Sequence, residues 1–527
     1  MTRHSRRYRG NWVISELLAD RAERFGSDVV SRDSDGRALS YGELASSASR
    51  IAGGLRALGV GPGDRVATML SPSHEYLAVW FGTAWAGAIE VPVNTDLKGE
   101  MLRHVLVESG ARVLVTESRW VERAKSLSLP SLEHVVEVGS DSQSSPSLGQ
   151  ILTSGSPLPP CPRDEIDPAY IMFTSGTTGP SKGAVHSNRS ALWNAVAWLD
   201  VLDLGQDDVA YSMFPLFHVT ARSAVITSTI WAGGSVALRD GFSASRFWPD
   251  VRESQATFFA YMGSVVHLLY SAPETDADTD HSIRRAFGAA APPEMVEGFE
   301  RRFGFPLLEV YGSTELGLAT APYGDHRVIG AMGGECSHVH VAIAEEDGRL
   351  VDRGSLGEIV VRPREPQAIF QGYWARPEET LAAFRDLWFH TGDRGFIRPD
   401  GQLVFVDRIK DCIRRRGENV SSFEVERAVQ LHPCVLEAAA FAVPSDIAEE
   451  EVAVAVVPME GAKLEVSELF SFMIEQLPRF AVPRYVRVVE ALPKTPSQRV
   501  QKFRLREDGL CAGIVDREDL GITVPKE

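Results

Sequence analysis

Apolar residues recur along this chain in two rhythms. Val13, Leu17, Leu18 and Phe25 fall at near-helical spacing, and Leu44, Ile51, Leu55 and Leu58 repeat the pattern between Ser40 and Gly59. Both stretches predict amphipathic helices with one apolar stripe turned to a core. Around them lie short apolar runs at 65–70, 88–93 and 113–116. Such runs, alternating with helical stretches, predict βαβ units and a parallel sheet. The alternation continues to about residue 408. Beyond it, strand-like runs at 438–443 and 452–457 and helix-like ones at 423–431 and 466–476 predict a small α+β domain. Residues 137–168, rich in Ser, Pro and Gly, predict a long surface connection, and the acidic stretch 274–280 a solvated loop. The predicted fold class is α/β, with a large N-terminal domain over 1–409 and a small α+β domain over 410–527.

Composition narrows the function classes. A chain of 527 residues exceeds what one core serves, and 44% apolar with 24% charged residues is ordinary for a globular protein. A net charge of −17 argues against nucleic-acid partners, which require a basic surface. One basic cluster stands out, namely Arg408, Lys410, Arg414, Arg415 and Arg416. It reads either as a solvated charged edge or as a docking site for a phosphate-rich ligand. Cys161, Cys336, Cys412, Cys434 and Cys511 are scattered without metal-ligand spacing, which fits a reducing compartment. Arg3, Arg6, Arg7 and Arg9 precede no apolar stretch of a secretory signal. No run approaches the roughly 20 apolar residues of a membrane span. A cytoplasmic protein without membrane partners is expected.

The most informative segment is 174–183, Thr-Ser-Gly-Thr-Thr-Gly-Pro-Ser-Lys-Gly, directly after Tyr170-Ile171-Met172-Phe173. Glycines let backbone N–H groups approach an anion, hydroxyls donate further hydrogen bonds, and Lys182 adds a point charge. A flexible Ser/Gly linker has a similar composition. This loop, however, is framed by a strand-like run and a helix-like one at 190–199, for which Asn188 or Ser190 would be the cap. Its spacing is not that of the P-loop.

This decapeptide resembles the nucleotide loop of the acyl-adenylate-forming superfamily, and further motifs follow in that superfamily's order. Gly288-Ala289-Ala290-Ala291-Pro292 resembles the strand and turn along the adenine. Tyr311-Gly312-Ser313-Thr314-Glu315 resembles the motif whose tyrosine stacks on adenine and whose glutamate holds magnesium. His390-Thr391-Gly392-Asp393 resembles the ribose-binding segment, and Asp407-Arg408-Ile409-Lys410-Asp411 the interdomain hinge. Arg416-Gly417-Glu418-Asn419 and Pro493-Lys494-Thr495-Pro496-Ser497 complete the series. The likeness runs from about Trp12 to about Arg506 and is nearest to acyl-CoA synthetases of the crotonobetaine/carnitine-CoA ligase-like group. It implies a large domain of several sheets, a small mobile lid hinged near Lys410, and activation of a small organic acid as its adenylate. ATP and Mg²⁺ would be used, pyrophosphate released, and coenzyme A would be the second substrate. A homodimer is compatible with it.

The resemblance also assigns roles. Thr174, Ser175, Gly176, Thr177, Thr178 and Lys182 would hold phosphates, and Glu315 with Thr178 the Mg²⁺. Gly288, Ala289, Ala290, Tyr311, Gly312 and Thr314 would line the adenine, Asp393 and Arg408 the ribose, and Gly417 the loop after the hinge. Pro215-Leu216-Phe217-His218-Val219-Thr220 resembles the acid-pocket segment, so Phe217 and His218 would touch the acid, although a histidine on an apolar stretch is also a common core residue. By residue type alone Arg222 could pair there with a second anion or be a surface or structural arginine. Phe259-Ala260-Tyr261-Met262-Gly263 has the small and aromatic mixture of a pocket wall or, equally, of a plain core strand. One departure stands out. The last motif usually carries Gly-Lys, the lysine meeting the transition state, whereas this chain has Gln498-Arg499-Val500 and then Gln501-Lys502. Either Arg499 substitutes, or Lys502 reaches in, or the activated group is not an ordinary carboxylate. The last case leads to ATP-dependent diazotases, which resemble the same group and would activate nitrite for an aryl amine. A non-catalytic adenylate-binding protein is a third reading.

Overall fold

The computed structural model describes residues 12–139, 147–174, 181–323, 327–408, 413–415, 418–420, 422–445, 450–477, 481–494 and 500–524. The chain forms two compact units. Met1–Gly176, Pro180–Val341 and Val361–Phe389 belong to the larger, and Ala342–Val360 with His390–Glu527 make up most of the smaller.

The predicted helices form where the apolar spacing puts them. Ile14–Phe25 buries Leu17 and Leu18. Tyr41–Ala57 starts in a capping box, in which Ser40 Oγ accepts from Glu43 N (3.2 Å) and the Glu43 carboxylate accepts from Ser40 N (2.8 Å). Among the described residues two seven-stranded sheets organise the larger unit. Across the first run Gly372–Tyr373, Gly183–Ser187, Pro168–Phe173, Ile89–Pro92, Arg65–Met69, Val113–Glu117 and His134–Val138. From Pro168–Phe173 onward these strands are parallel, while the first two pairings are antiparallel. Val113, Leu114 and Val115 in succession are buried, because helices cover both faces of such a sheet. The second sheet runs Leu307–Glu309, Arg285–Ala289, Phe258–Met262, Val209–Ser212, Ser235–Leu238, Val29–Arg32 and Ala38–Ser40, and only its last pairing is antiparallel.

Three local expectations change. The helix after the phosphate loop spans Asn188–Leu202 and is capped by Ser187, whose Oγ accepts from Ser190 N (3.1 Å), not by Asn188 or Ser190. Within 137–168 a short helix, Leu148–Ser154, forms behind its own capping box at Ser147. Asp278, expected in a solvated loop, is buried and pairs with Arg302 (2.6 Å) and with Thr275 Oγ1 (2.8 Å). A carboxylate with two such donors holds the loop down.

The smaller unit has a four-stranded sheet of Val435–Pro444, Glu450–Pro458, Tyr485–Val488 and Ile514–Asp516. Alternate residues feed different cores. Ala438 and Ala440 pack with Val425, Val429 and Phe470, whereas Ala439, Phe441 and Val443 pack with Leu492 and Leu505. Period-two alternation with both faces apolar requires cover on both sides. Ser422–Gln430 and Val466–Gln476 supply one side and Lys502–Asp508 the other.

Candidate active site

The parallel strands of the second sheet all end at one edge. Met213 to Val219 follow Ser212, Gly263 follows Met262, Ala290 follows Ala289, and Val310 and Tyr311 follow Glu309. Ligands bind at such carboxyl edges of parallel sheets, where side chains and free backbone groups converge. The turn 215–218, the Gly288–Ala290 segment and Tyr311 anticipated from sequence therefore lie at or just past one end of this sheet. The crossing is tight. A Cβ at Gly288 would lie 2.1 Å from Tyr261 O, and one at Gly263 would lie 1.9 Å from Ala290 O, so only glycine permits these approaches. Ala290 itself sits at φ +62°, and Glu309 Oε1 accepts from Ala291 N (3.0 Å) to hold the turn.

The 174–183 loop, expected to hold phosphates, leaves the antiparallel edge of the first sheet. Thr174 N donates to Lys182 O (2.9 Å), closing the ends of the loop over the pairing Phe173↔Gly183. Ser175, Gly176, Thr177 and Thr178 lie outside the described residues. Gly372–Tyr373 adds to the edge of Gly183–Ser187 and brings Tyr373 to the site. The Lys182 ammonium lies 5.0 Å from the Tyr373 ring centroid. Tyr373 Oη donates to Glu315 Oε1 (3.0 Å) and Ser313 Oγ donates to Glu315 Oε2 (2.9 Å). Burial and the Glu315 carboxylate push the Tyr373 hydroxyl far up, so it stays a donor. The backbone is pinned as well, with Phe370 N donating to Glu315 O (2.9 Å) and Trp374 N to Gly183 O (2.7 Å). His186 Nε2 lies 2.7 Å from Thr314 O. A carbonyl only accepts, so this nitrogen carries the proton. Burial holds His186 down at about 4, which keeps it neutral.

In the smaller unit the hairpin of Trp388–Ile397 and Leu403–Arg408 pairs Asp393 with Arg408 in register, and Arg408 Nε lies 3.4 Å from Asp393 Oδ1. Glu358 organises the approach, accepting from Gly392 N (3.0 Å) and lying 2.7 Å from His390 Nδ1. Asp407 Oδ2 accepts from Ser422 N (2.7 Å) and Ser422 Oγ (2.8 Å), capping the helix Ser422–Gln430. Lys502 Nζ pairs with Glu426 Oε1 at 2.7 Å and donates to Ser422 Oγ at 2.5 Å.

Several expectations need correction or relocation. Arg222 does not stand free for a second anion. It is 1% exposed, forms a two-point ion pair with Glu90, donates to Leu216 O (3.2 Å) and lies 3.8 Å from the Trp80 ring centroid. Tyr261 is buried in the hydrophobic core rather than presented as a wall, while Met262 is half-buried. Phe217 is buried and His218 half-buried at the turn after Ser212. In the basic cluster Arg415 is buried and paired with Glu451, with its NH1 donating to Val482 O (3.0 Å), so it offers nothing to a phosphate-rich ligand. Lys410, Arg416, Gly417 and Arg499 lie outside the described residues, as does the Arg414 side chain.

Sequence comparison decides the family. Residues 18–374 match the AMP-binding enzyme family, and 424–499 match the AMP-binding enzyme C-terminal domain. The chain belongs to the AMP-binding enzyme family. It is an AMP-forming ligase of the adenylate-forming superfamily. It is 31% identical over 507 residues to a sulfoacetate–CoA ligase from Cupriavidus necator, covering 94% of this chain and 97% of that one. It is also 31% identical over 516 residues to a crotonobetaine/carnitine–CoA ligase from Salmonella paratyphi A, covering 94% and 99%. The crystal structure of ATP-bound MatB from Rhodopseudomonas palustris superposes with a TM-score of 0.86 at 28% identity, covering 94% of this chain and 98% of that one. Among the described residues no helix is long and apolar enough to cross a membrane.

Two contributors in this AMP-binding enzyme escape motif reading. Tyr373 sits in the aromatic run Phe370-Gln371-Gly372-Tyr373-Trp374, which signals only a packed edge until the strand pairing brings it to Glu315. His104 Nε2 lies 2.8 Å from Ser181 O, beside Lys182, and Glu108 on the same helix binds Arg376 (2.6 Å) just past Tyr373. A helix 77 residues upstream thus braces the end of the 174–183 loop and the segment after Tyr373.

Proposed function

We propose that this enzyme activates a small carboxylic acid with ATP, releases pyrophosphate, and passes the acyl group from the adenylate to the thiol of coenzyme A. The observation that carries this reading is the Lys182–Tyr373–Glu315 constellation at the mouth of the 174–182 loop. In the first half-reaction a carboxylate oxygen attacks the α-phosphorus and the P–O bond to pyrophosphate breaks. Two anions must meet, so cations and donors belong where charge builds. In this proposal Lys182 and Thr174 face the β- and γ-phosphates, Tyr311 packs on adenine, and Asp393 with Arg408 takes the ribose hydroxyls. Arg499 takes the slot opposite the α-phosphate. Lys502, the rival for that slot, has its ammonium committed to Glu426 inside the smaller unit.

Mg²⁺ fits the donor set. Glu315 is a hard oxygen ligand held by two hydroxyls that leave it free lone pairs, and Mg²⁺ in nucleotide sites takes one or two carboxylates plus phosphate oxygens. When bound it would neutralise the phosphate charge. The lobe division at 409/410 with Lys410 as hinge belongs to the same proposal. It falls between the two family segments, which end at 374 and begin at 424, whereas the smaller compact unit already resumes at His390. The nitrite-activating alternative loses its support, since Arg222 is spent on Glu90 and the relatives are named as CoA ligases. The test is isotope exchange between pyrophosphate and ATP with sulfoacetate, crotonobetaine and benzoate, followed by AMP release on adding coenzyme A. Acid-dependent exchange that turns over only with coenzyme A supports the reading. Exchange with nitrite alone, discharged by an arylamine, would overturn it.

A further inference from the structure

Glu90 and Arg222 are each about 1% exposed, deeper than any charge a ligand could reach. An ion pair at that depth is poor material for stability, because removing two charges from water costs about what their attraction returns, and apolar residues of similar volume often serve as well. What the pair offers is geometry. Arg222 lies in a π-helical turn, Thr220–Thr227, a rare wide-wound form that occurs frequently at functional sites. From there the guanidinium reaches both Glu90 oxygens with one edge and the Leu216 carbonyl with the same NH1. Leu216 precedes Phe217 and His218, the turn at the carboxyl edge of the second sheet. Glu90 belongs to the first sheet, where it sits in register with Tyr170, three residues before the Phe173 that opens the phosphate loop. Arg222 also packs its cation over Tyr170, 5.3 Å from the ring centroid, and Tyr170 stacks on His186, which holds the Thr314 carbonyl beside Glu315.

We propose that Glu90–Arg222 is a positioning pair that sets the acid-binding turn 215–218 at a fixed distance from the strands carrying the phosphate loop, so that carboxylate and α-phosphate meet in line. The proposal rests on the acid-activating reading above. Two sheets joined through packed helices can slide by fractions of an ångström, and a displacement of about 1 Å at a reacting centre costs on the order of 10²-fold. A five-donor planar fork that grips a carboxylate and a carbonyl together is suited to forbid it.

The decisive variant is the double substitution Glu90→Met with Arg222→Met, which removes both charges at similar volume. It should melt within a few degrees of the parent and bind ATP with a Kd within about twofold. Its KM for the acid giving fastest exchange in the panel should rise roughly tenfold to a hundredfold. Arg222→Lys keeps the charge but cannot hold Glu90 and Leu216 O together, so it should show the same split more mildly, and it decides the matter if the double variant does not fold. A second readout needs no substrate. The His218 amide donates to Pro215 O (3.1 Å), and its hydrogen exchange should accelerate at least tenfold in both variants. Unchanged acid KM and unchanged exchange at His218 in a folded variant would overturn the proposal. If the parent activates no acid, the functional reading fails, while the His218 exchange still decides whether the pair holds the turn.

Discussion

Arg222 and Arg408 each face a carboxylate, under opposite conditions. The Arg222–Glu90 side chains are 2% and 1% exposed, whereas the Arg408–Asp393 side chains are 37% and 11% exposed and stand 3.4 Å apart. In the first pair both terminal guanidinium nitrogens are taken up by Glu90 and a backbone carbonyl. In the second a single loose approach leaves the arginine fork largely open to water. Residue type cannot separate the two, since both are an arginine near a carboxylate in a motif region. Burial can, because a desolvated charge must be satisfied by the protein itself, while a charge at the surface can exchange water for ligand. The same contrast separates Lys182, set against the Tyr373 ring, from Lys502, bound to Glu426.

The strongest challenge to this contrast is to truncate one member of the buried pair. Arg222→Ala or Glu90→Ala leaves an unpaired charge in the core and should cost about 3–5 kcal/mol of stability in denaturant unfolding. Asp393→Ala should leave the unfolding midpoint nearly unchanged and raise the KM for ATP. Equal destabilisation by the two would erase the distinction.

Next in size is the last motif. Removing a preorganised group opposite a developing charge costs about 10²–10³ in rate, so Arg499→Ala should lose adenylate formation on that scale in the exchange assay. Lys502→Ala should be milder in rate and act mainly through stability, because it strands Glu426, whose carboxyl burial already pushes up. A silent Arg499→Ala with an inactive Lys502→Ala would reverse the two roles.

Buried histidines extend the contrast to pH. His186 and His338 are buried and held down at about 4, by burial above all. The unfolded chain takes protons on both below about 6.5, and the folded chain does not until about 4. The unfolded state therefore binds more protons in that window, and stability should fall as pH drops from about 6.5 to about 4, at up to ~1.4 kcal/mol per pH unit for each histidine. His338→Phe keeps the stack on Trp193 and should remove one proton from that slope, as measured by denaturation at pH 5 and 6.5. The smallest effect belongs to Tyr373→Phe. It deletes one hydrogen bond to the charged Glu315, about 1.5–3 kcal/mol, part of which water at the half-buried carboxylate restores. Exchange should fall only several-fold, with the unfolding midpoint little changed.

Much of this was legible in order along the chain. Local signals are local physics: apolar spacing sets helices such as Ile14–Phe25, and a Ser with Glu three residues on caps Tyr41–Ala57. The run of motifs from Thr174 to Lys502 identifies the family because nucleotide chemistry demands those residue types in loops at strand ends. The phosphate loop, the Gly288–Ala290 turn and Glu315 are sites of this kind, each readable from its neighbours. Other assignments depend on partners far away in sequence, which no local pattern encodes. Ser187 rather than Asn188 caps its helix because backbone geometry, not residue type alone, selects the cap. Tyr373 reaches Glu315 through a strand added 185 or more residues after the one it pairs with. Glu90 and Arg222 are 132 residues apart, and from sequence Arg222 reads as a candidate anion holder with no sign that Glu90 is its partner. Whether a charge builds the core or serves a ligand depends on what surrounds it once water has been excluded, and only the tertiary structure decides that.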